Sequence, residues 1–274
     1  MRTLWKGSIS FGLVNVPIKM YTATSKKNIR FRQLHSECHN PISYKKYCPT
    51  CEEKVESGDI VKGYEYEKGK YVILRDEDFD NIPVASTKTI DIVDFVDLED
   101  IDPVYYSKSY YLSPSEGGEK AYILLSQAMK DSNKVAIAKI TIRNKESLAC
   151  IRVLDNETIC LETMFFPAEV RDSADLRIED LTGKIEVNEN ELSMAKELIS
   201  NLSTEFEPEK YTDEYREELL NIIRQKIEGQ DIEVPERAVS GKVVDLMDAL
   251  KASLDAAQDE KEKKKEEEIE KVAK

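Results

Sequence analysis

The feature that most constrains the fold is a succession of short runs in which apolar and polar residues alternate through the first 170 positions. Alternation with a period of two is typical of strands that bury one face, and the runs are rich in Val, Ile and Tyr. In the first run, Ile9, Phe11 and Leu13 share one face, and Pro17 predicts that this strand ends or bends before it. Strands are predicted at 8–13, 71–75, 89–96, 104–112, 135–143, 148–154 and 158–166, with one helix at about 119–131. The pattern predicts an antiparallel sheet or barrel, and therefore a mainly β fold with added helices.

The character of the sequence changes after about residue 188, where apolar residues recur at helical spacing. Asn188 with Glu191 resembles a capping box, which predicts that a helix begins there. A second helix is predicted from near Thr212 to Gly229, and a third after Ser240. Residues 259–274 mix seven acidic residues with six lysines, a pattern expected of a solvated helix or tail.

Charge is distributed unevenly along the chain. The net charge of −14 argues against a nucleic-acid partner, but residues 1–50 carry +8 and residues 130–152 carry +4. Because exposed charges are screened beyond about 8–10 Å, a local basic surface can still attract a polyanion. The sequence shows no recognition helix with base-reading side chains, so contacts are predicted to phosphate and sugar, without sequence preference. Solvated strand faces are the alternative interpretation. The candidates are Lys26, Lys27, Arg30, Arg32, Lys45 and Lys46 in the first island, and Lys134, Lys139, Arg143 and Lys145 in the second.

Three of the five cysteines and both histidines lie between residues 35 and 51. The spacing His35-x2-Cys38-x9-Cys48-x2-Cys51 offers four ligands of the kind that zinc prefers, with His39 as a substitute. The alternative is an unmetallated polar loop. The two remaining cysteines, which lie in strand-like runs, are predicted to be small buried hydrophobic residues: Cys150 and Cys160.

Catalytic motifs are not found in the sequence. It contains no Walker loop, no GxGxxG and no GxSxG, so we predict that the protein is not an enzyme. The acidic stretch 91–102 could suggest a two-metal nuclease, but its carboxylates share no face, and a solvated acidic surface is the favoured interpretation. No apolar run reaches the length of a membrane span and no secretory signal is visible. These observations predict a cytoplasmic protein with reduced thiols and no membrane partner.

Several long blocks of the sequence resemble one known family. The opening LWKGSISFGLVNVPIKMYTAT (residues 4–24) is similar to the signature of bacterial Ku, the DNA-end-binding protein of non-homologous end joining. The resemblance continues, in order and over nearly the whole chain, through IDIVDFVDLEDIDPVYYSKSYYL, KVAIAKITIRNKESLACIRV, FEPEKYTDEYREELL and VVDLMDALKASL.

This resemblance implies a Ku-type β-barrel with an extended bridge arm and C-terminal helices, assembled as a ring-shaped homodimer. Residues 1–187 would form the barrel core, with a bridge arm at about 26–62 that encircles DNA. Residues 188–235 would form a helical part that supports the dimer, and residues 236–274 a ligase-interaction helix with a charged tail. The implied function is to bind linear double-stranded DNA ends without sequence specificity, and to recruit and stimulate DNA ligase D.

The resemblance also assigns roles to residues. The first island would lie in the bridge arm and approach the DNA, the second island supplies secondary candidates chosen by charge and alternation, and the ligase would contact the third helix. No cofactor is required, although a structural zinc at His35, Cys38, Cys48 and Cys51 remains open. An alternative of another class is a zinc-ribbon-type protein-interaction adaptor without a DNA role. The ligase-contacting residues would be Val243, Val244, Leu246, Met247, Leu250 and Leu254.

Overall fold

The computed structural model describes residues 1–80, 88–142, 145–229, 247 and 249–256. The chain divides into two compact units, Met1–Arg171 and Asp172–Lys274. The sequence placed the change from strands to helices near residue 188. The division lies earlier because the short helical turns that begin at Ser173 belong to the second unit.

The first unit contains every strand of the described residues. In chain order they are β1 (Trp5–Phe11), β2 (Val14–Thr22), β3 (Tyr47–Cys48), β4 (Glu53–Lys54), β5 (Lys62–Glu67), β6 (Lys70–Leu74), β7 (Thr89–Val96), β8 (Tyr106–Pro114), β9 (Val135–Ile142), β10 (Lys145–Val153) and β11 (Ile159–Met164). The α-helices described before residue 230 are α1 (Asp76–Asp80), α2 (Glu119–Ser132), α3 (Glu179–Thr182), α4 (Glu189–Leu202) and α5 (Glu214–Ile227).

Seven strands form a closed barrel in the order β1-β2-β8-β11-β10-β9-β7. Neighbouring strands pair antiparallel except at the closure, where β1 and β7 run parallel and Ser8 lies opposite Thr89. The predicted mainly β fold with a barrel and helices is therefore confirmed. The predicted strand at 71–75 is not part of the barrel, since β6 pairs only with β5 in a separate hairpin.

Alternate side chains fill the inside of the barrel and form the main core, as is usual for a barrel of this size. Because this interior is packed with side chains, any large partner must contact the outside of the barrel. The strand residues that are almost completely buried in it include Ile9, Val16, Ile18, Met20, Ile90, Ile140, Ile151, Ile159 and Leu161.

Helix α2 packs on this core through Tyr122, Leu125 and Met129. The hydroxyl of Tyr122 donates to the carbonyl of Leu112 at 2.8 Å and accepts from the N–H of Ile159 at 2.7 Å. Leu112 and Ile159 are register partners on β8 and β11, so the tyrosine hydroxyl bridges a pair of backbone groups between these two strands.

The first predicted strand ends before Pro17, since β1 ends at Phe11, but the sequence did not predict β2, which begins at Val14 and continues through Pro17. The carbonyl of Pro17 accepts from the N–H of Ser115 at 2.9 Å. Because the nitrogen and the carbonyl of one strand residue point to the same side, the proline nitrogen, which carries no hydrogen, also faces the end of β8. The carbonyl of Ser115 accepts from Gly118 instead, at 2.9 Å. The proline therefore removes only a terminal hydrogen bond, and the strand tolerates it.

A second, smaller cluster lies on the outer face of β8–β11 and contains the buried Val135, Cys150 and Met164. Cys150 and Cys160 are both buried, as predicted. Burial raises the pKa of the Cys150 thiol to about 11, and it raises the pKa of the neighbouring Tyr106 to about 12. Both groups are therefore neutral at physiological pH.

Residues 23–88 leave the barrel after β2 and return at β7, and we call this segment the insertion. It carries the small hairpins β3–β4 and β5–β6 and the short helix α1. No described side chain between residues 23 and 79 is buried. The described part of the insertion therefore has no core of its own, and its isolated two-stranded hairpins are of a kind that is only marginally stable in water.

In the second unit, α4 and α5 are the two predicted helices, and each begins at a capping side chain. Asn188 accepts from the N–H of Asn190 at 2.9 Å, and Asp213 accepts from that of Arg216 at 3.0 Å. Neither helix buries any residue. Residues 247 and 249–256 are helical, and the rest of the predicted third helix lies outside the described residues. Within the described ranges, no helix is both long and apolar enough to cross a bilayer.

Candidate nucleic-acid interface

The first set of basic candidates lies on the insertion, and every member is exposed: Lys26, Lys27, Arg30, Arg32, Lys45 and Lys46. A tight loop follows Arg32. In this loop the N–H of Ile42 donates to the carbonyl of Gln33 at 3.0 Å, and the Tyr44 hydroxyl donates to the Gln33 side chain. These hydrogen bonds fix the backbone beside Arg32. Because all six basic side chains of this set are exposed, a large anion can reach them.

The second set differs because two of its members form salt bridges with acidic residues. Lys134 contacts both carboxylate oxygens of Asp97 at 2.8 Å, and Lys145 contacts Glu169 at 3.0 Å. Lys139 is exposed on β9, and the register places Asp91 opposite it. The charges of this set are thus largely compensated, which weakens its case as a phosphate-binding surface. The remaining candidate lies outside the described residues: Arg143.

The acidic stretch does not form a site in the described part of the chain. Asp91 lies on β7 and accepts from the Thr89 hydroxyl at 3.1 Å, Asp97 pairs with Lys134, and Asp102 accepts from the N–H of Val104 at 2.9 Å. These carboxylates cap turns and pair with lysines. Among the described residues, no group of three or more His, Cys, Asp or Glu side chains is arranged to hold a metal ion.

The candidate zinc ligands are brought together as two separate pairs. The His35 Nδ1 lies 3.2 Å from the Cys38 Sγ, in the loop closed by the bridge between Leu34 and Pro41. In the second pair, backbone N–H donors of Cys51 and Thr50 lower the pKa of the Cys48 thiol. An imidazole and three thiols match a Cys₃His donor set, so the residue types fit zinc, but no three of these side chains converge on one point in the described structure.

Sequence reasoning missed one charged pair. Lys6 on β1 and Lys19 on β2 are direct register partners, and Ser113 of β8 lies opposite Lys19 on the other side. Both lysines alternate with core residues, so they lie on the outer face of the barrel. The signal was present in the sequence, because both residues occupy the polar positions of alternating runs.

The candidate ligase-contacting residues are only partly described. Met247 and Leu250 are half-buried and Leu254 is buried. The apolar stripe is therefore partly covered within this chain. The other three candidates lie outside the described residues: Val243, Val244 and Leu246.

Comparison with known proteins gives a consistent result. Residues 10–194 match the family model described as Ku70/Ku80 beta-barrel domain, which is more than half of the chain. A curated protein of Desulfitobacterium hafniense, named Non-homologous end joining protein Ku, is 51% identical over 93% of this chain and 87% of its own length.

Two further relatives carry the same name. The protein of Bacillus subtilis is 47% identical over 93% of this chain and 82% of its own length. The protein of Symbiobacterium thermophilum is 52% identical over 94% of this chain, which spans 64% of that longer relative.

Proposed function

Since the chain belongs to the Ku family, we propose that it binds the ends of linear double-stranded DNA in non-homologous end joining of broken duplexes. The observation that carries this proposal is the set of six exposed arginines and lysines on the insertion. Because these side chains are long and cationic and lie on no recognition helix, they suit contacts with phosphates of any sequence.

We further propose that the protein acts as a homodimeric ring, with the insertion as the bridge. This proposal is supported by apolar side chains on the insertion, such as Phe31, which is 70% exposed, and Tyr44, which is 83% exposed. A segment without its own core needs a partner surface, and a second copy of the same chain supplies a self-complementary one. A closed ring can be loaded only at a free end, so end specificity would follow from topology.

The test compares linear duplex with covalently closed circles of the same sequence. We expect gel shifts with the linear form and no stable complex with the circle. Equal binding of both forms would rule out the ring.

The role of the insertion can be tested by changing Arg30 and Arg32 to Ala. Each lost phosphate contact makes the negative slope of log affinity against log salt shallower by about 0.9, so the double change should make it shallower by about 1.8 on every sequence. A control that removes two exposed lysines of the second unit, Lys184→Ala with Lys196→Ala, should leave the slope unchanged. A slope identical to that of the parent would mean that the two arginines do not contact DNA.

We also propose that the C-terminal apolar stripe recruits and stimulates a DNA ligase of the ligase D type. Met247→Asp with Leu250→Asp should abolish stimulation and leave DNA binding intact. The matched control, Ala252→Asp with Ala256→Asp, adds the same charge at exposed positions of the same helix. If stimulation persists in the first variant, the ligase binds elsewhere; if DNA binding is lost as well, the stripe stabilises the fold.

Finally, we propose that a structural zinc draws the two pairs together, with His35, Cys38, Cys48 and Cys51 as its ligands, and so joins the two turns of the insertion. Protein purified without added zinc should contain about one zinc per chain by mass spectrometry, as expected for a four-ligand structural site. Cys48→Ser with Cys51→Ser should remove the metal, whereas Cys150→Ala should retain it. A metal-free parent would refute the site.

The alternative function, a zinc-ribbon adaptor without a DNA role, predicts a different combination of results. Such a protein would contain the metal and would fail to shift linear duplex. The proposed DNA-end-binding protein shifts linear duplex whether or not the metal is present.

A further inference from the structure

Four of the five cysteines lie as two pairs in very different surroundings. Cys48 is the last residue of β3, and Cys51 follows in the turn that leads to β4. Cys150 and Cys160 lie on the neighbouring barrel strands β10 and β11. All of them are free thiols. Two thiols form a disulfide only where their backbones allow the sulfurs to meet and an oxidant can reach them.

The barrel pair meets neither condition. The register places Cys150 opposite Glu162 and Cys160 opposite Arg152, so the two cysteines are diagonal neighbours. Diagonal neighbours lie about 7–8 Å apart, which a disulfide does not span unless the backbone moves. The two residues are also only 0% and 2% exposed, so an oxidant does not reach them in the folded barrel.

The insertion pair meets both conditions. The thiols of Cys48 and Cys51 interact directly with each other, and the backbone N–H groups of Thr50 and Cys51 are directed at the Cys48 sulfur. Cys51 is exposed and Cys48 is half-buried. Because no described side chain between residues 23 and 79 is buried, a small movement of this turn disturbs no packed core.

The β3–β4 hairpin keeps the pair together. The two strands pair antiparallel with Cys48 opposite Glu53, and beside them the N–H of Val55 donates to the carbonyl of Lys46 at 3.0 Å. These contacts fix both ends of the four-residue turn 49–52. The turn therefore holds its two sulfurs close to each other before any oxidation takes place.

We propose that Cys48 and Cys51 are a site of reversible oxidation, at which a hydroperoxide converts the two thiols into an intramolecular disulfide. The proposal goes beyond DNA-end binding and does not depend on it. Accessible thiols that lie next to a second, resolving cysteine are the usual sites of such oxidation. The third exposed thiol of the insertion, Cys38, contacts the His35 imidazole at 3.2 Å, and its loop 33–42 contains no second cysteine.

The reaction balances with hydrogen peroxide as the oxidant. The Cys48 thiolate attacks one peroxide oxygen, the O–O bond breaks, and a sulfenic acid forms while the departing hydroxide takes up a proton and becomes water. The Cys51 thiolate then attacks the sulfenic sulfur, so that the S–S bond forms and the S–O bond breaks. The second hydroxide also leaves as water. Two electrons pass from the two sulfurs to the peroxide, and the two thiol protons end in the two waters.

Oxidation would also control the structural zinc proposed above, and this consequence alone rests on that site. Both sulfurs are among its four ligands, and a cysteine binds zinc as a thiolate. The disulfide would leave only His35 and Cys38, whereas a structural zinc site has four ligands. The metal and the disulfide therefore exclude each other, and peroxide would release zinc from the insertion.

The experiment treats the full chain with hydrogen peroxide after a chelator has removed any metal. The protein is then unfolded, its remaining thiols are blocked with iodoacetamide, and its tryptic peptides are identified by mass spectrometry. Trypsin separates the sites, because peptide 47–54 contains Cys48 and Cys51 and no other cysteine. We expect this peptide to lose two hydrogen atoms and to escape alkylation, while Cys150 and Cys160 are alkylated as in untreated protein.

Two variants test the roles of the thiols. Cys51→Ser removes the resolving thiol, so a sulfenic acid should persist at Cys48 and react with dimedone. Cys38→Ser is the matched control, since it removes the other exposed thiol of the insertion, and it should form the same disulfide as the parent. A peptide 47–54 that stays fully alkylated after peroxide treatment, or a disulfide to Cys38 in its place, would overturn the proposal.

A second measurement follows the metal. Zinc-loaded parent should release about one zinc per chain to a chromogenic chelator as the disulfide forms. Zinc that stays bound to the oxidised protein would overturn the coupling between the two. A parent that binds no zinc refutes the metal site and the coupling, whereas a disulfide in the metal-free protein still supports the oxidation site.

Discussion

The hydroxyl of Tyr122 gives the sharpest test of the barrel itself. It bridges the carbonyl of Leu112 and the N–H of Ile159, using both its donor and its acceptor. Tyr122→Phe keeps the ring in the core and removes only this bridge. The site is buried, with 5% of the tyrosine exposed, so water does not replace the lost partner.

The expected loss of stability follows from two buried backbone groups, the carbonyl of Leu112 and the N–H of Ile159, which would lose their hydrogen-bond partner. Each buried group without a partner costs about 1–3 kcal/mol. Because Leu112 and Ile159 are register partners, they recover part of this cost by approaching each other. We therefore expect the free energy of unfolding to fall by about 2 kcal/mol, which lowers the melting temperature of a unit of this size by about 4–8 °C.

The assay uses the single tryptophan of the chain. Trp5 begins β1 and packs against the barrel core, so its fluorescence reports the unfolding of the first unit in urea. Tyr111→Phe is the matched control, since in the described part of the chain its hydroxyl bridges no pair of backbone groups; the change should cost less than about 0.5 kcal/mol. A Tyr122→Phe variant as stable as this control would show that the hydroxyl does not join β8 to β11.

Three further outcomes follow from the structure. Gly7→Ala should destabilise the barrel far more than Gly58→Ala, because a Cβ at position 7 would collide with a backbone carbonyl and the Trp ring, whereas position 58 is open; urea unfolding would contradict this if both variants matched the parent. After a chelator has removed any zinc from the insertion, iodoacetamide should label the three cysteines of the insertion much faster than Cys150 and Cys160, whose pKa values are raised by burial; equal rates would show that the outer cluster is open. The backbone N–H of Phe166 and the nearby Lys145 lower the pKa of Glu169. The stability that the ionised Glu169 contributes is therefore present above the pKa of the unfolded state and is lost as pH falls through the pKa of the folded state. The stability difference between the parent and Glu169→Gln should therefore vanish in acid, and a difference independent of pH would refute the assignment.

Alternation predicted most of the barrel because each strand buries one face in a single core. The strands at 89–96 and 135–143 agree with β7 and β9 to within a residue. The path of β2 was missed because Pro17 was treated as a strand terminator. Whether a missing N–H matters depends on which neighbour it faces, and this is a property of the sheet.

The charge patterns were harder to interpret because the partners lie far apart in the chain. Lys134 pairs with a carboxylate 37 positions earlier and Lys145 with one 24 positions later, so counting charge within local windows made both residues more attractive candidates than they are. The same counting overlooked Lys6 and Lys19, which are 13 positions apart in the chain and become neighbours only through the register of the hairpin. The parallel closure of β1 on β7 has no local pattern at all.

The closure of the barrel also has a mechanical consequence. The insertion leaves from β2 and returns to β7, the strands on either side of β1, so its two roots are separated by one intervening strand. A force that pulls on the insertion along the strand direction shears β1 against its two neighbouring strands, β2 and β7. β1 forms seven register pairs with β2, whereas it forms three with β7. The pairing of β1 with β7 is therefore weaker than its pairing with β2, and under tension the barrel would open first between β1 and β7.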